Sequence, residues 1–174
     1  LRKQIALVQQ DVFLFSGKII DNIRLGNVQM REEEIQSIST AVNSHNFINN
    51  FPLKYEQELI EGGGSISSGQ RQLLSFARAL AVKPQILVLD EATSSVDMDT
   101  ERQIKNGIKE MTRGRTSIII AHRLSTLMHV DKVLVLKNGK IIEFGKRDEL
   151  LQQRGIFYKL CQAQIKSEQF SAEQ

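Results

Sequence analysis

The stretch from Ile86 to Asp97 constrains this chain more than any other. It begins with four apolar residues, Ile-Leu-Val-Leu, which are too few for a free helix and predict a fully buried strand. Two adjacent carboxylates, Asp90 and Glu91, follow at once and would point to opposite sides of that strand. Open α/β sheets bind ligands at the carboxyl ends of their strands. There, one carboxylate suits a hydrated Mg²⁺ and the other suits a water to be activated.

Length and composition indicate one globular domain with a real core. Of 174 residues, 41% are hydrophobic and 25% are charged, which is an ordinary balance for a folded protein. The net charge of +3 is small and the basic residues are dispersed, so we expect no nucleic-acid partner. The single cysteine, Cys161, excludes an internal disulfide and suits a reducing compartment. Because the chain starts at Leu1 in sequence that already looks structured, we expect it to be a piece of a longer protein.

Predicted strands and helices alternate along the chain. Apolar runs predict strands at 5–8, 86–89 and 117–121, and Asn138-Gly139 between two further runs predicts a β-hairpin. Helical spacing of apolar residues predicts helices at about 30–44, 68–82, 99–112 and 146–166. This alternation predicts an α/β fold with a mainly parallel sheet. We expect a helical insert at about 30–80, a domain covering 1–166 and a polar, frayed tail at 167–174.

Three further sites accompany the carboxylates, and each has an ordinary alternative. Ser67, Ser68 and Gly69 begin a predicted helix, where free amides and hydroxyls make an anion site or simply a capped connector. Gln10 follows the first strand and is either a ligand-edge residue or a surface amide. His122 ends an apolar strand and is either a third group at that edge or a structural histidine.

A phosphate-binding loop of the form G-x-x-x-x-G-K-[ST] does not occur in these 174 residues. The pair Gly17-Lys18 does not supply one. Val12 stands where the first glycine should be, and Ile19 stands where the hydroxyl should be. The pair is therefore interpreted as part of a loop.

Four motifs in order resemble the nucleotide-binding domain of ABC transporters. They are Gln10, ISSGQRQ at 66–72, ILVLDEATSSVD at 86–97 and IIIAHRLST at 118–126. The resemblance covers residues 1 to about 165 and is strongest to exporters, in which this domain is fused behind a membrane domain. It implies a P-loop NTPase core that lacks the N-terminal strands and the Walker A loop, which in this family lie ahead of the position of Leu1.

The resemblance also implies roles for residues at the ends of the strands. Asp90 would be the Walker B aspartate that holds Mg²⁺ through water, and Glu91 would be the general base. Gln10 would contact the metal and sense the γ-phosphate of ATP. His122 would be a second γ-phosphate contact, close to the bond that is cleaved.

Further implied roles concern partners. Ser67, Ser68, Gly69 and Gln70 match the signature motif, which caps ATP held by a second nucleotide-binding domain, and Ser94–Asp97 match the loop that crosses that dimer interface. Glu61 and residues 12–15 would meet the coupling helices of a transmembrane domain, at the cytoplasmic face of the cell membrane. The signature departs from its usual LSGGQ form at Ile66 and Ser68, and we expect its function to be retained.

The function that this resemblance implies is ATP-driven export, with the isolated chain inactive because it has no phosphate loop. Two alternatives stay open. A non-transport ABC ATPase is disfavoured because Ala92-Thr93 follows Glu91, where that class tends to carry proline, and because long heptad runs are absent. A non-catalytic interaction module is disfavoured for the parent protein because Gln10, Asp90, Glu91 and His122 are all retained.

Overall fold

The computed structural model describes residues 4–25, 27, 29–90, 97–121, 126–127 and 130–172, with side chains in the last helix described as far as residue 165. The chain folds as two compact units, Leu1–Ile120 and Ala121–Gln174. Both combine strands with helices, so the predicted α/β class is confirmed.

The first unit alternates short strands with helices. Glu58 and Leu59 pair with Lys18 and Gly17 to form a small antiparallel ribbon. Two 3-10 turns, Lys54–Glu56 and Glu61–Gly63, flank this ribbon's second strand. In chain order the elements are β1 (Ile5–Val8), β2 (Gly17–Lys18), α1 (Ile19–Arg24), α2 (Glu32–Ala41), α3 (His45–Asn49), β3 (Glu58–Leu59), α4 (Ser68–Ala81), β4 (Ile86–Asp90), α5 (Met98–Thr112) and β5 (Thr116–Ile120).

The predicted parallel sheet is confirmed and has the order β1-β4-β5. Val8 of β1 lies opposite Leu89 of β4, and Asp90 at the end of β4 lies opposite Ile120 of β5. Both pairings are parallel, so the carboxyl ends of all three strands meet at one edge of the sheet. This edge is the one at which α/β sheets bind ligands.

One face of the sheet is buried and the other is open among the described residues. Leu87 and Leu89 are buried with helices α4 and α5 in one core, whereas Ile86 and Val88 are only partly buried. The prediction that 86–89 is buried on both sides is therefore wrong. The apolar run indicates that the strand is hydrophobic. Whether each face of the strand is buried depends on which layers of the fold cover that face. Large side chains on the open face remain exposed, namely Leu7, Ile118 and Ile120.

Helix α4 begins and ends where its sequence predicts. The Ser67 hydroxyl accepts a hydrogen bond from the Gln70 amide at 3.2 Å and caps the helix. Its apolar positions, including Leu73, Leu74 and Phe76, lie in the core. The helix closes before Pro84, which disfavours helical backbone in the residue ahead of it. Helices α2, α3 and most of α4 lie within the predicted helical insert at about 30–80, whose bounds as a domain stay a prediction.

The second unit is a β-hairpin followed by two helices. Strands β6 (Val133–Lys137) and β7 (Lys140–Gly145) pair antiparallel, and Asn138 and Gly139 both have positive φ, at 51° and 73°. Positive φ at both central residues is what the tight hairpin turn requires, so the hairpin prediction is confirmed. The core of this unit comprises Val133, Val135, Leu150, Phe157 and Cys161.

The helical tail is divided at residues 154–155. Helix α6 (Arg147–Gln153) ends in a left-handed residue, Arg154, and helix α7 (Ile156–Ala172) follows. The Glu143 carboxylate accepts hydrogen bonds from the first two amides of α7, which fixes the start of that helix. Helix α7 continues into the polar tail, where a frayed end was expected.

Candidate functional site

The carboxyl edge of the sheet brings together two of the predicted site residues. Asp90 is the last residue of β4 and is partly buried. Gln10 lies two residues past the end of β1, which pairs with β4, and is exposed. Asp90 follows Ile86 and Val88 on the open face of the sheet, because side chains alternate along a strand. Glu91 and His122 lie outside the described residues.

The donors at this edge suit a hydrated divalent cation better than a cation enclosed by protein. Among the described residues, no group of three or more His, Cys, Asp or Glu side chains is arranged to hold a metal. Mg²⁺ commonly binds through one or two carboxylates and keeps several waters or substrate phosphates as its other ligands. One carboxylate, Asp90, with the Gln10 amide at the same edge therefore fits such an ion.

The signature residues form the N-terminus of α4. Ser67 and Gln70 make reciprocal bonds: the Ser67 hydroxyl accepts from the Gln70 amide, and the Gln70 Oε1 accepts from the Ser67 amide at 3.0 Å. The Arg71 amide donates to the Ser67 carbonyl. Ser68 and Gly69 come before Gln70 and Arg71 in the helix, and amides in this first turn have no intrahelical partner. With the positive end of the helix dipole, they can donate to an anion.

The segment ahead of the signature is held in a shape that only glycine adopts easily. Gly62 and Gly63 have φ of 75° and 67°, and a Cβ on Gly63 would lie 2.9 Å from Leu14 Cδ1. Arg71 Nη1 donates to the Ile66 carbonyl at 3.0 Å, which fixes the entry to the helix. The entry to the signature helix is thus defined by glycine backbone conformations and by a hydrogen bond from within that helix.

Asp97 begins α5 and caps it. Its Oδ1 accepts a hydrogen bond from the Thr100 amide at 2.9 Å. Hydrogen bonds from Thr100 lower the pKa of the Asp97 carboxyl below its usual value. The Asp97 side chain is therefore engaged within its own helix. Residues 94–96 of the same predicted loop lie outside the described residues.

Residues Val12–Phe15, named here the aromatic loop, contact the segment that contains Glu61. The Gly62 amide donates to the Leu14 carbonyl at 3.0 Å, and the Leu14 side chain is fully buried. Phe13 and Phe15 are 51% and 52% exposed, and their rings meet edge to face at 5.1 Å between centroids. The structure therefore joins the two segments that were predicted to meet a transmembrane domain.

Two residues beneath the aromatic loop were missed by sequence reasoning. Asn22 of α1 and Arg78 of α4 donate hydrogen bonds to the Phe15 and Phe13 carbonyls. A signal was present: Asn22 is a polar residue surrounded in sequence by Ile19, Ile20 and Ile23, and it is buried with them. A buried amide in an apolar helix requires partners, but the sequence does not say which.

Comparison with known proteins identifies the family. Residues 1–94 match the family described as ABC transporter. The chain is 47% identical over 164 residues to an uncharacterized ABC transporter ATP-binding protein, YknV, of Bacillus subtilis, covering 94% of this chain and 27% of that protein. It is 44% identical over 163 residues to a fatty acid ABC transporter ATP-binding/permease protein of Mycobacterium bovis, covering 94% and 26%. It is 42% identical over 173 residues to an ATP-dependent lipid A-core flippase of Syntrophus aciditrophicus, covering 99% and 29%.

This chain belongs to the ABC transporter family. The predicted resemblance is thereby confirmed. The chain spans about a quarter of the length of the relatives it matches. In the part of the chain that the structure describes, no helix has the length and apolar character needed to cross a membrane.

Proposed function

We propose that this chain is the ATP-binding and ATP-hydrolysing module that drives substrate export in an ABC transporter. One observation carries the proposal. Gln10 and Asp90 lie at the same carboxyl edge of a parallel sheet, in a chain whose relatives are named as ATP-binding/permease proteins. Phosphoryl transfer depends mainly on positioning and on charge stabilisation, and this edge can supply both.

We assign distinct parts in hydrolysis to four residues. Asp90 would hold the hydrated cation, with Gln10 as a further ligand, and bound Mg²⁺ would supply positive charge that stabilises the phosphates. Glu91, the next residue along the chain, orients the attacking water and accepts its proton. His122 donates to a γ-phosphate oxygen. The last two assignments rest on the motif resemblance.

The signature belongs to the other half of a composite site. The amides of Ser68 and Gly69 and the Ser67 hydroxyl donate to the γ-phosphate of ATP held by a second nucleotide-binding domain. The Ser67–Gln70 bonds support this role, because they fix the donors before the nucleotide arrives. We assign residues 94–97 to the contact between the two domains, on the basis of the motif resemblance.

The 174 residues alone neither bind ATP tightly nor hydrolyse it. A phosphate loop with its lysine, which supplies the main amide donors for the β- and γ-phosphates, does not occur in this sequence. Two copies of the chain would therefore contribute carboxylates and signatures but no phosphate cradle. Isothermal titration of the chain with Mg-ATP should give no micromolar binding.

Coupling to export takes place through the aromatic loop and Glu61, which meet a transmembrane domain at the cytoplasmic face of the membrane. The exposed Phe13 and Phe15 rings support this assignment. We place the nucleotide-binding domain at residues 1–166 and assign 167–174 to a tail.

A chimeric transporter tests the proposed function. The 173 aligned residues of the Syntrophus relative are replaced by the matching residues of this chain, and Mg-ATP hydrolysis is measured in liposomes. Hydrolysis comparable to that of the unmodified relative supports the proposal. A chimera that assembles in the membrane but does not hydrolyse ATP would contradict it and favour a non-catalytic interaction module.

A further inference from the structure

The Asn22 side chain is hydrogen-bonded at every polar atom to the aromatic loop and its surroundings. Its Nδ2 donates to the Phe15 carbonyl at 2.9 Å and to the Lys18 carbonyl at 3.2 Å. Its Oδ1 accepts from the Phe15 amide at 3.0 Å and from Arg78 Nη2 at 2.9 Å. Two carbonyls on one side and two donors on the other allow only one orientation of this amide. Asn22 is 3% exposed, so its own side chain is shielded from water.

All three guanidinium nitrogens of Arg78 donate hydrogen bonds to Asn22 or to the aromatic loop. Nη1 donates to the Phe13 carbonyl at 2.8 Å, and Nε donates to the Asn22 carbonyl at 2.9 Å. Burial lowers the pKa of Arg78, although an arginine stays charged at neutral pH. Arg78 is partly buried, and a charge withdrawn from water is tolerated where its donors are satisfied, so the fork geometry matters. Lysine cannot reproduce three divergent donors in one plane.

The Arg78 guanidinium also contacts one ring of the exposed Phe13–Phe15 pair. Its central carbon lies 5.6 Å from the centroid of the Phe15 ring, within the range of a cation–π contact. Phe15 in turn contacts Phe13 edge to face. Through Arg78, the two rings are therefore connected to the C-terminal part of α4, and the signature lies at the N-terminal end of the same helix.

We propose that Arg78 is a positioning residue that, through Asn22, clamps the aromatic loop to the signature helix α4. The exposed Phe13 and Phe15 rings then move with the helix that meets the partner's nucleotide, rather than with strand β1, from which the loop departs. This inference rests on the proposed function for the part that the signature and the rings play in export. The clamp itself rests on five hydrogen bonds among Phe13, Phe15, Asn22 and Arg78.

Amide hydrogen exchange of the 174-residue chain, resolved by NMR, tests the clamp without nucleotide. The reporter is the Gly62 amide, which donates to the Leu14 carbonyl between the two clamped phenylalanines and bonds neither Arg78 nor Asn22. The Leu87 and Leu89 amides in β4 report global protection. Two variants, Arg78→Lys and Asn22→Ala, loosen the clamp from its two ends.

Both variants should speed exchange at Gly62 by about tenfold relative to the β4 amides, as expected for a local opening. The matched control is Arg115→Lys. Arg115 Nη1 also donates to two carbonyls, those of Met111 and Arg113, but it lies beyond the end of α5. This control should leave Gly62 unchanged.

Two results would overturn the proposal. One is a Gly62 rate within about twofold of the unmodified chain in both variants while β4 stays protected. The other is equal acceleration at Gly62 and in β4, which would mean that Arg78 and Asn22 only stabilise the whole unit. Because no nucleotide is present, either result is independent of whether the chimeric transporter hydrolyses ATP.

Discussion

Ser67 and Gln70 hydrogen-bond each other in both directions at the start of α4, at 3.2 Å and 3.0 Å. This capping box places two residues of the signature motif in a structural role within their own chain. Its consequence is that the donors proposed to face a partner's ATP are preorganised by the same side chains.

The capping box predicts a difference between two substitutions. Ser67→Ala removes the acceptor of the Gln70 amide and should lower the free energy of unfolding by about 1 kcal/mol. Gln70→Glu keeps an acceptor for the Ser67 amide and places negative charge at the positive end of the helix, so it should cost nothing measurable. Urea denaturation of both variants checks this. Equal losses would contradict the capping box.

The one-sided burial of the sheet predicts unequal effects at neighbouring strand positions. Leu87 is 0% exposed and Ile118 is 57% exposed. Leu87→Ala should destabilise the chain by about 2–5 kcal/mol, because it leaves a cavity in the core. Ile118→Ala should cost under about 1 kcal/mol. Chemical denaturation measures both, and a loss at Ile118 as large as that at Leu87 would show that this face is covered.

The Asp97 cap predicts a pH dependence. Its pKa is lowered in the folded chain by hydrogen bonds from Thr100, so the carboxylate stabilises the fold above its unfolded pKa. That contribution is lost as the pH falls through the folded pKa. Asp97→Asn should therefore be less stable than the unmodified chain at neutral pH, and the difference should shrink towards about pH 2.

Urea unfolding across this pH range is the measurement for Asp97. The matched control is Asp99→Asn, a neighbouring first-turn carboxylate whose side chain is not the cap. A stability difference between Asp97→Asn and the unmodified chain that stays constant down to the lowest pH would argue against the cap.

Local sequence signals predicted the elements that depend on near neighbours. The Asn138-Gly139 turn involves two adjacent residues, and the hairpin prediction is confirmed. The predicted helix at about 68–82 is also confirmed, and its cap at Ser67 and its end before Pro84 again involve residues within a few positions of one another. The run at 86–89 also predicted its strand. In contrast, its burial on one face only depends on which helices pack against it, and periodicity does not contain that information.

The residues of the candidate site were predictable only in part from the sequence. Parallel pairing of β1 and β4 brings Gln10 and Asp90 to one edge, as strand order implies. The Arg78–Asn22 contact joins residues that are 56 positions apart. The identity of either residue does not indicate which residue it contacts, so the sequence alone does not predict this pair. Glu91 and His122 lie outside the described residues, so their roles stay predictions.

Steady-state ATP hydrolysis by the chimeric transporter, with and without Glu91→Gln, tests the central claim most directly. The variant keeps the size of the side chain but removes the base, so ATP should remain bound while turnover falls by about 10²–10⁴-fold. Unchanged hydrolysis in Glu91→Gln, with wild-type nucleotide binding, would contradict the assignment of this strand end as the hydrolytic part of an ABC transporter site.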